Sequence, residues 1–211
     1  TGAGLDPIAM VTHGVGWAMP NDSPSDIDPA VFGEFAGTVA ARYADDIEVY
    51  EIWNEANTGR FWSPESDPDH YGLLLEAAYD AIHANDPSAT VIFTGMSSLD
   101  SHLLDQRGIW NFLARVGEFH PDLCTFIDGV AIHPYTFLQQ PGPELSLDLG
   151  IYRYPDLRTT IEDVRGLLGE LGCSDLPIHL TEMGWPSLLI GNERQAAYTV
   201  RGALLASAAG A

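Results

Sequence analysis

The chain contains no lysine. Its nine basic residues are all arginines, set against 30 acidic residues, for a formal net charge of −21 over 211 residues. That balance argues against a nucleic-acid partner, because phosphates need a basic footprint. It argues equally against docking on an anionic membrane surface. A salt-adapted source and a high-GC genome that favours arginine codons both account for it. No apolar run approaches the roughly 18 residues needed to span a bilayer. The N-terminal TGAGLDP has no basic segment, apolar core or initiator Met. It reads as the start of a mature form, an excised piece or a partial reading frame, three readings the sequence does not separate. No glycine-rich phosphate loop follows any predicted strand. There are two cysteines, Cys124 and Cys173, each a few residues before a predicted strand. A disulfide between them is geometrically possible, and so are two unlinked small hydrophobes.

What is present is a strict alternation, with 45% hydrophobic residues, enough for one sizeable core and one domain over 1–211. Short, β-branched, nearly continuous apolar runs at 7–12, 47–53, 90–95, 127–133 and 177–182 have the character of buried parallel strands. Between them lie helical patterns. Asp28-Pro29 and Asp67-Pro68 each present an N-cap followed by proline in the first turn. After Pro68, Leu73, Leu74, Ala77, Ala78, Ala81 and Ile82 recur at helical spacing. Further helices are expected at about 102–118, 156–171 and 192–209. Successive β-α units imply a parallel sheet with right-handed crossovers. Two architectures remain open: an incomplete (β/α)8 barrel, since a closed one takes about 250 residues, and a doubly wound open sheet. The longest irregular stretch, 134–155, carries Tyr135, Phe137, Tyr152 and Tyr154. It follows a strand, on the face where α/β barrels place their sites.

Two glutamates end strand-like runs: Glu55 in EVYEIWNEAN and Glu182 in PIHLTEMGWP. Paired carboxylates at strand tips of one barrel suit glycosidic-bond cleavage. One carboxyl protonates the leaving oxygen and the other attacks the anomeric carbon, at about 5–5.5 Å in retaining enzymes and wider in inverting ones. His133 has the strand parity that faces the same pocket, and Trp62 and Trp185 are candidates to stack on pyranose faces. Glu51 competes as a carboxylate. Four residues of extended strand place it about 13 Å below Glu55, which makes it a structural, paired group. His179 has the opposite parity from Glu182 and reads as structural, and Trp53 and Trp110 read as packing.

EIWNEAN, HPY and TEMGW resemble glycoside hydrolase clan A, the retaining (β/α)8-barrel enzymes, and look most like families 39 and 5. The resemblance aligns the strands present with barrel strands three to seven. It implies that Glu55 is the acid/base, Glu182 the nucleophile, Asn54 a hydrogen-bond partner of the sugar 2-hydroxyl and Tyr135 the residue that orients the nucleophile. His13 and Trp17, after the first strand present, look like sugar-subsite residues. The clan's strand-eight tryptophan and strand-two arginine have no counterpart. The implied protein is a hydrolase of β-glycosidic bonds in oligo- or polysaccharides, working by double displacement without metal or cofactor. Its partner is a carbohydrate, and its location extracellular or periplasmic.

Two competitors stand beside this reading. A carbohydrate-binding remnant would hold sugar through Trp17, Trp62 and Trp185 without turnover. A metal-dependent barrel hydrolase would need histidine clusters, often with a carboxylated lysine, and the strands present have no His-x-His. Missing barrel strands also leave sheet edges unpaired, so the piece alone is expected to aggregate or oligomerise.

Overall fold

A computed structural model of the chain describes residues 4–14, 17–98, 108–135, 142–148 and 153–211. Five strands form one parallel sheet: β1 (Ile8–Val11), β2 (Val49–Ile52), β3 (Thr90–Ser97), β4 (Gly129–His133) and β7 (Ile178–Leu180), ordered β1-β2-β3-β4-β7. Helices α1 (Pro29–Tyr43), α2 (Pro68–Asn85), α3 (Gly108–Phe119) and α4 (Leu157–Leu171) supply the crossovers, and α5 (Ser187–Ile190) and α6 (Asn192–Ala209) follow β7. Strand neighbours are also neighbours in sequence, so the sheet winds in one direction and never reverses. That is the order of a barrel wall, whereas a doubly wound sheet turns back on itself.

Local chemistry explains where the elements begin and end. Asp28 and Asp67 cap α1 and α2, accepting the Ala30 N–H at 2.8 Å and the His70 N–H at 3.1 Å, with proline next in each case. Asp156 caps α4 through the Thr159 N–H at 3.0 Å, and Gly172 stops the helix in the left-handed region at φ 84°. The core lies where the sheet meets the helices. Tyr50, Ile52, Trp53, Trp62, Tyr71, Leu74, Phe93 and Leu113 are buried there.

The central strand β3 is buried along nearly its whole length, while β1 and β7 are only partly buried. This follows from position, because neither outer strand has a partner on its far side among the described residues. Leu188, Leu189, Val200 and Leu204 of the last two helices are exposed for the same reason. Cys124 and Cys173 form a disulfide beneath the neighbouring strands β4 and β7. The long segment before α4 contains a small antiparallel pair, β5 (Leu147–Asp148) and β6 (Arg153–Tyr154), which the sequence pattern did not reveal. Phe137 and Tyr152 lie outside the described residues.

Candidate active site

The end of β2 is built under strain. Beyond Ile52 the chain leaves the extended conformation, with Trp53 at φ 70° and Glu55 at φ 44°. Left-handed backbone costs a non-glycine residue roughly 1–2 kcal/mol and persists where the surroundings over-determine it. Here they do. Trp53 donates its N–H to Val11 at 2.8 Å and Glu55 donates its N–H to Gly95 at 3.2 Å. Thr58 returns two hydrogen bonds to the Glu55 carbonyl, from its N–H at 2.9 Å and its hydroxyl at 3.0 Å. Tyr71 donates to the Ile52 carbonyl at 3.1 Å and accepts the Thr94 N–H at 2.8 Å. Asn57 exchanges two hydrogen bonds with the backbone of Ser97, at 2.9 and 3.0 Å. The register of β3 on β4 shifts between Phe93 and Met96, where the backbone serves this loop instead of the regular ladder.

Three side chains converge above the sheet. His133, the last residue of β4, is fully buried. Its Nδ1 lies 3.0 Å from Glu55 Oε1 and 3.6 Å from Glu182 Oε2. Its Nε2 lies 3.1 Å from Thr181 Oγ1. Ile132 pairs with Leu180, so in continued register His133 stands beside Thr181, with Glu182 one residue further on. Tyr135 donates its hydroxyl to Glu182 Oε2 at 2.7 Å. Burial first, and then the hydrogen bond and charge of Glu182, hold the Tyr135 phenol well above its ordinary pKa, so it remains a donor. One atom each from Glu55, His133 and Glu182 lies within 4.8 Å of the other two, so the two glutamates bring carboxylate oxygens at least that close. The imidazole Nδ1 that a cation would need is already hydrogen-bonded to Glu55.

Glu51 differs from its expected role. It is buried, and its Oε1 accepts the Gly95 N–H at 2.7 Å, but the same oxygen lies 3.8 Å from His133 Nε2. The 13 Å estimate assumed extended strand through Glu55, and the left-handed turn at Trp53 and Glu55 invalidates that assumption. Glu51 is not remote from the site: it touches the underside of the same imidazole.

The remaining candidates scatter. Asn54 is buried beside Gly95, and its Oδ1 has no hydrogen-bond partner among the described residues. Trp62 has 0% of its surface exposed; it packs on Trp53 and Tyr71 and donates its indole N–H to Ser25 Oγ at 3.0 Å. It therefore offers a sugar no open ring face. Trp185 is also buried, edge-on to Tyr198 of α6 at 5.7 Å between ring centres. His13, in left-handed conformation at φ 62°, stacks 6.1 Å from Trp53 at the end of β1, and Trp17 is 78% exposed. Trp53 is core, and the side chain of Trp110 lies outside the described residues. Burial lowers the pKa of His179, whose Nε2 has no hydrogen-bond partner among the described residues.

Sequence reasoning missed Thr181 and Gly95. Gly95 carried a usable signal, since a glycine inside a buried strand marks a close approach. A Cβ there would stand 2.1 Å from His133 Nε2 and 2.6 Å from Glu51 Oε1.

No family model and no curated protein matches the chain. Solved structures do. A glucosidase from Croceicoccus marinus aligns with TM-score 0.65 at 15% identity, over 84% of this chain and 36% of that one. A family 39 glycoside hydrolase from Bacteroides cellulosilyticus WH2 aligns with TM-score 0.63 at 22% identity, over 96% of this chain and 40% of that one. A psychrophilic family 10 endo-β-1,4-xylanase aligns with TM-score 0.58 at 16% identity, over 99% of this chain and 64% of that one. The chain thus spans between about a third and two thirds of each. At these identities the likeness establishes the fold: an incomplete (β/α)8 barrel of the kind found in clan A glycoside hydrolases. No helix among the described residues is long and apolar enough to cross a membrane.

Proposed function

We propose that the chain is the site-bearing part of a retaining glycoside hydrolase that cleaves β-glycosidic bonds in oligo- or polysaccharides by double displacement. The observation that carries this reading is the approach of Glu55 and Glu182 within 4.8 Å on one fully buried imidazole. That gap suits direct attack by a carboxylate and is narrower than the roughly 6.5–9.5 Å an intervening water needs.

The roles follow from the hydrogen bonds. Tyr135 donates to Glu182 Oε2, so that oxygen is an acceptor and the other oxygen of the carboxylate is free to attack the anomeric carbon. Glu55 is then the acid that protonates the departing oxygen, and in the second half-reaction the base that deprotonates the attacking water. The alternative, a sugar-binding remnant, is weakened by the burial of Trp62 and Trp185, which leaves Trp17 as the exposed member of its platform.

The Cys124–Cys173 disulfide supports an extracellular or periplasmic location, where such bonds persist. The name of the xylanase neighbour makes β-1,4-xylan and aryl β-xylosides the first substrates to try. The test is hydrolysis by the full chain, with the anomer of the first-formed sugar followed by NMR. Retention is expected, with loss of turnover by at least about 10³-fold on Glu182→Gln. An inverted first product, or wild-type turnover in Glu182→Gln, refutes the assignment.

A further inference from the structure

Glu51 presents a problem that packing does not solve. It is 1% exposed, and its Oε2 has no hydrogen-bond partner among the described residues. An unsatisfied buried oxygen costs about 1–3 kcal/mol, which an apolar residue of similar shape would avoid. The partners it does have all lead to the site. Oε1 is held by the Gly95 N–H at 2.7 Å and faces His133 Nε2 at 3.8 Å. The Thr181 hydroxyl lies 3.1 Å from that same Nε2.

We propose that Glu51 is a positioning residue that acts through His133: its charge, beside Nε2, decides which imidazole nitrogen carries the proton, and so whether Nδ1 donates to the Glu55–Glu182 pair. The consequence for turnover rests on the glycosidase reading; the switch itself does not.

The Thr181 hydroxyl matches Nε2 in either tautomer: it donates to a bare Nε2 and accepts from an N–H there. When Glu51 is neutral, the hydroxyl donates to Nε2, and the single imidazole proton sits on Nδ1. There it faces Glu55 Oε1 at 3.0 Å and Glu182 Oε2 at 3.6 Å. Double displacement moves one negative charge from Glu182, which becomes esterified, to Glu55, which gives up its proton. An N–H aimed at both oxygens stabilises that charge in either place. When Glu51 ionises, its proton leaves to solvent and the new charge, 3.8 Å from Nε2, draws the imidazole proton to that nitrogen. The imidazole then keeps one proton but carries it on Nε2, donating to Thr181 Oγ1. Nδ1 becomes a bare acceptor, and it accepts a hydrogen bond from the Glu55 carboxyl, engaging the proton that the leaving group needs.

The groups facing Glu51 and His133 are Gly95 on β3, Tyr71 on α2, Tyr135 after β4, Thr181 and Glu182 after β7, and Glu55 after β2. Burial holds the Glu51 carboxyl above the ordinary range, and the charge of Glu182 adds to this; the Gly95 N–H, His133 and Thr181 pull the other way. The neutral, donating state therefore extends to higher pH than for an exposed glutamate.

The test uses the full chain with 15N-labelled histidine and reads the His133 tautomer against pH by two-bond N–H couplings, without substrate. Wild type is expected to change from Nδ1–H to Nε2–H as pH rises, and Glu51→Gln to remain Nδ1–H throughout. The alkaline limb of kcat/KM should also move up in Glu51→Gln. One pH unit above the wild-type midpoint, the variant keeps roughly tenfold more of its own plateau. Thr181→Val removes the acceptor that Nε2–H needs, with Glu51 in place, and should also abolish the pH-dependent change; it decides the matter if Glu51→Gln does not fold. A tautomer that responds to pH identically in wild type and variants, or an imidazolium in place of the Nε2–H state, overturns the proposal. A switch without hydrolysis of any glycoside upholds it and sinks the glycosidase reading alone.

Discussion

Gly95→Ala tests whether the close packing beneath His133 sets activity. The added methyl would stand 2.1 Å from His133 Nε2 and 2.6 Å from Glu51 Oε1. Ordinary contact begins near 3.4 Å, so the imidazole must retreat by about 1.3 Å. It has little room to do so, being fully buried and tied to Glu55 at 3.0 Å and Thr181 at 3.1 Å. Overpacking of this kind costs about 1–3 kcal/mol, and each kcal/mol lowers the Tm of a domain this size by about 2–4 °C. The effect on catalysis should be larger than the effect on folding. A 1 Å misplacement of a reacting group costs on the order of 10²-fold, and displacing His133 disturbs both carboxylates together. The assay is kcat/KM on an aryl β-glycoside beside a thermal melt. A folded Gly95→Ala protein with wild-type kcat/KM and Tm would show that His133 is free to move and that the tight site described above is wrong.

Two further predictions follow from the same geometry. Tyr135→Phe removes a 2.7 Å hydrogen bond to Glu182; a bond to a charged group contributes about 1.5–3 kcal/mol, so kcat should fall roughly 10- to 150-fold with KM nearly unchanged. An unaltered kcat would mean that Glu182 is positioned by something else. Reducing the Cys124–Cys173 bond, which closes a 49-residue separation, should cost about 4 kcal/mol on the chain-entropy account and lower the Tm by about 8–16 °C; a melt indifferent to reductant contradicts this.

Much of the fold was legible because its signals are local. Buried parallel strands announce themselves as short apolar runs, and Asp-Pro marked two helix starts. The small β5–β6 pair was not legible, since two-residue strands carry no periodicity. The positions that sequence misjudged all depend on the third dimension. Trp62 and Trp185 follow the two glutamate motifs closely in sequence, but proximity along the chain does not say which way a ring points. One rotates into the core against Trp53, the other onto α6. Glu51 was misplaced because strand geometry was extrapolated through a left-handed turn, and no sequence rule anticipates such a turn at Trp53 and Glu55. His133 has the parity to face the site, yet its approach to three carboxylates, one on β2, one beyond β2 and one beyond β7, emerges only from the folded sheet.

The division of labour among those strands also locates the weakest point of the site. Glu55 sits beyond an inner strand, and its backbone is pinned by Gly95, Thr58 and the Trp53 contacts. Glu182 follows β7, which has no strand on its outer side among the described residues, and its side chain is 40% exposed. What holds the Glu182 carboxylate is the Tyr135 hydroxyl, with His133 at 3.6 Å. Precision therefore falls from β2 to β7 across one candidate site. The proposed retaining mechanism, with Glu182 as nucleophile, would tolerate little error there, because attack distance enters the barrier directly. Changes that loosen β7 should thus lower kcat before they lower stability. Changes around β2, where the strained turn is locked by many bonds, should lower both together.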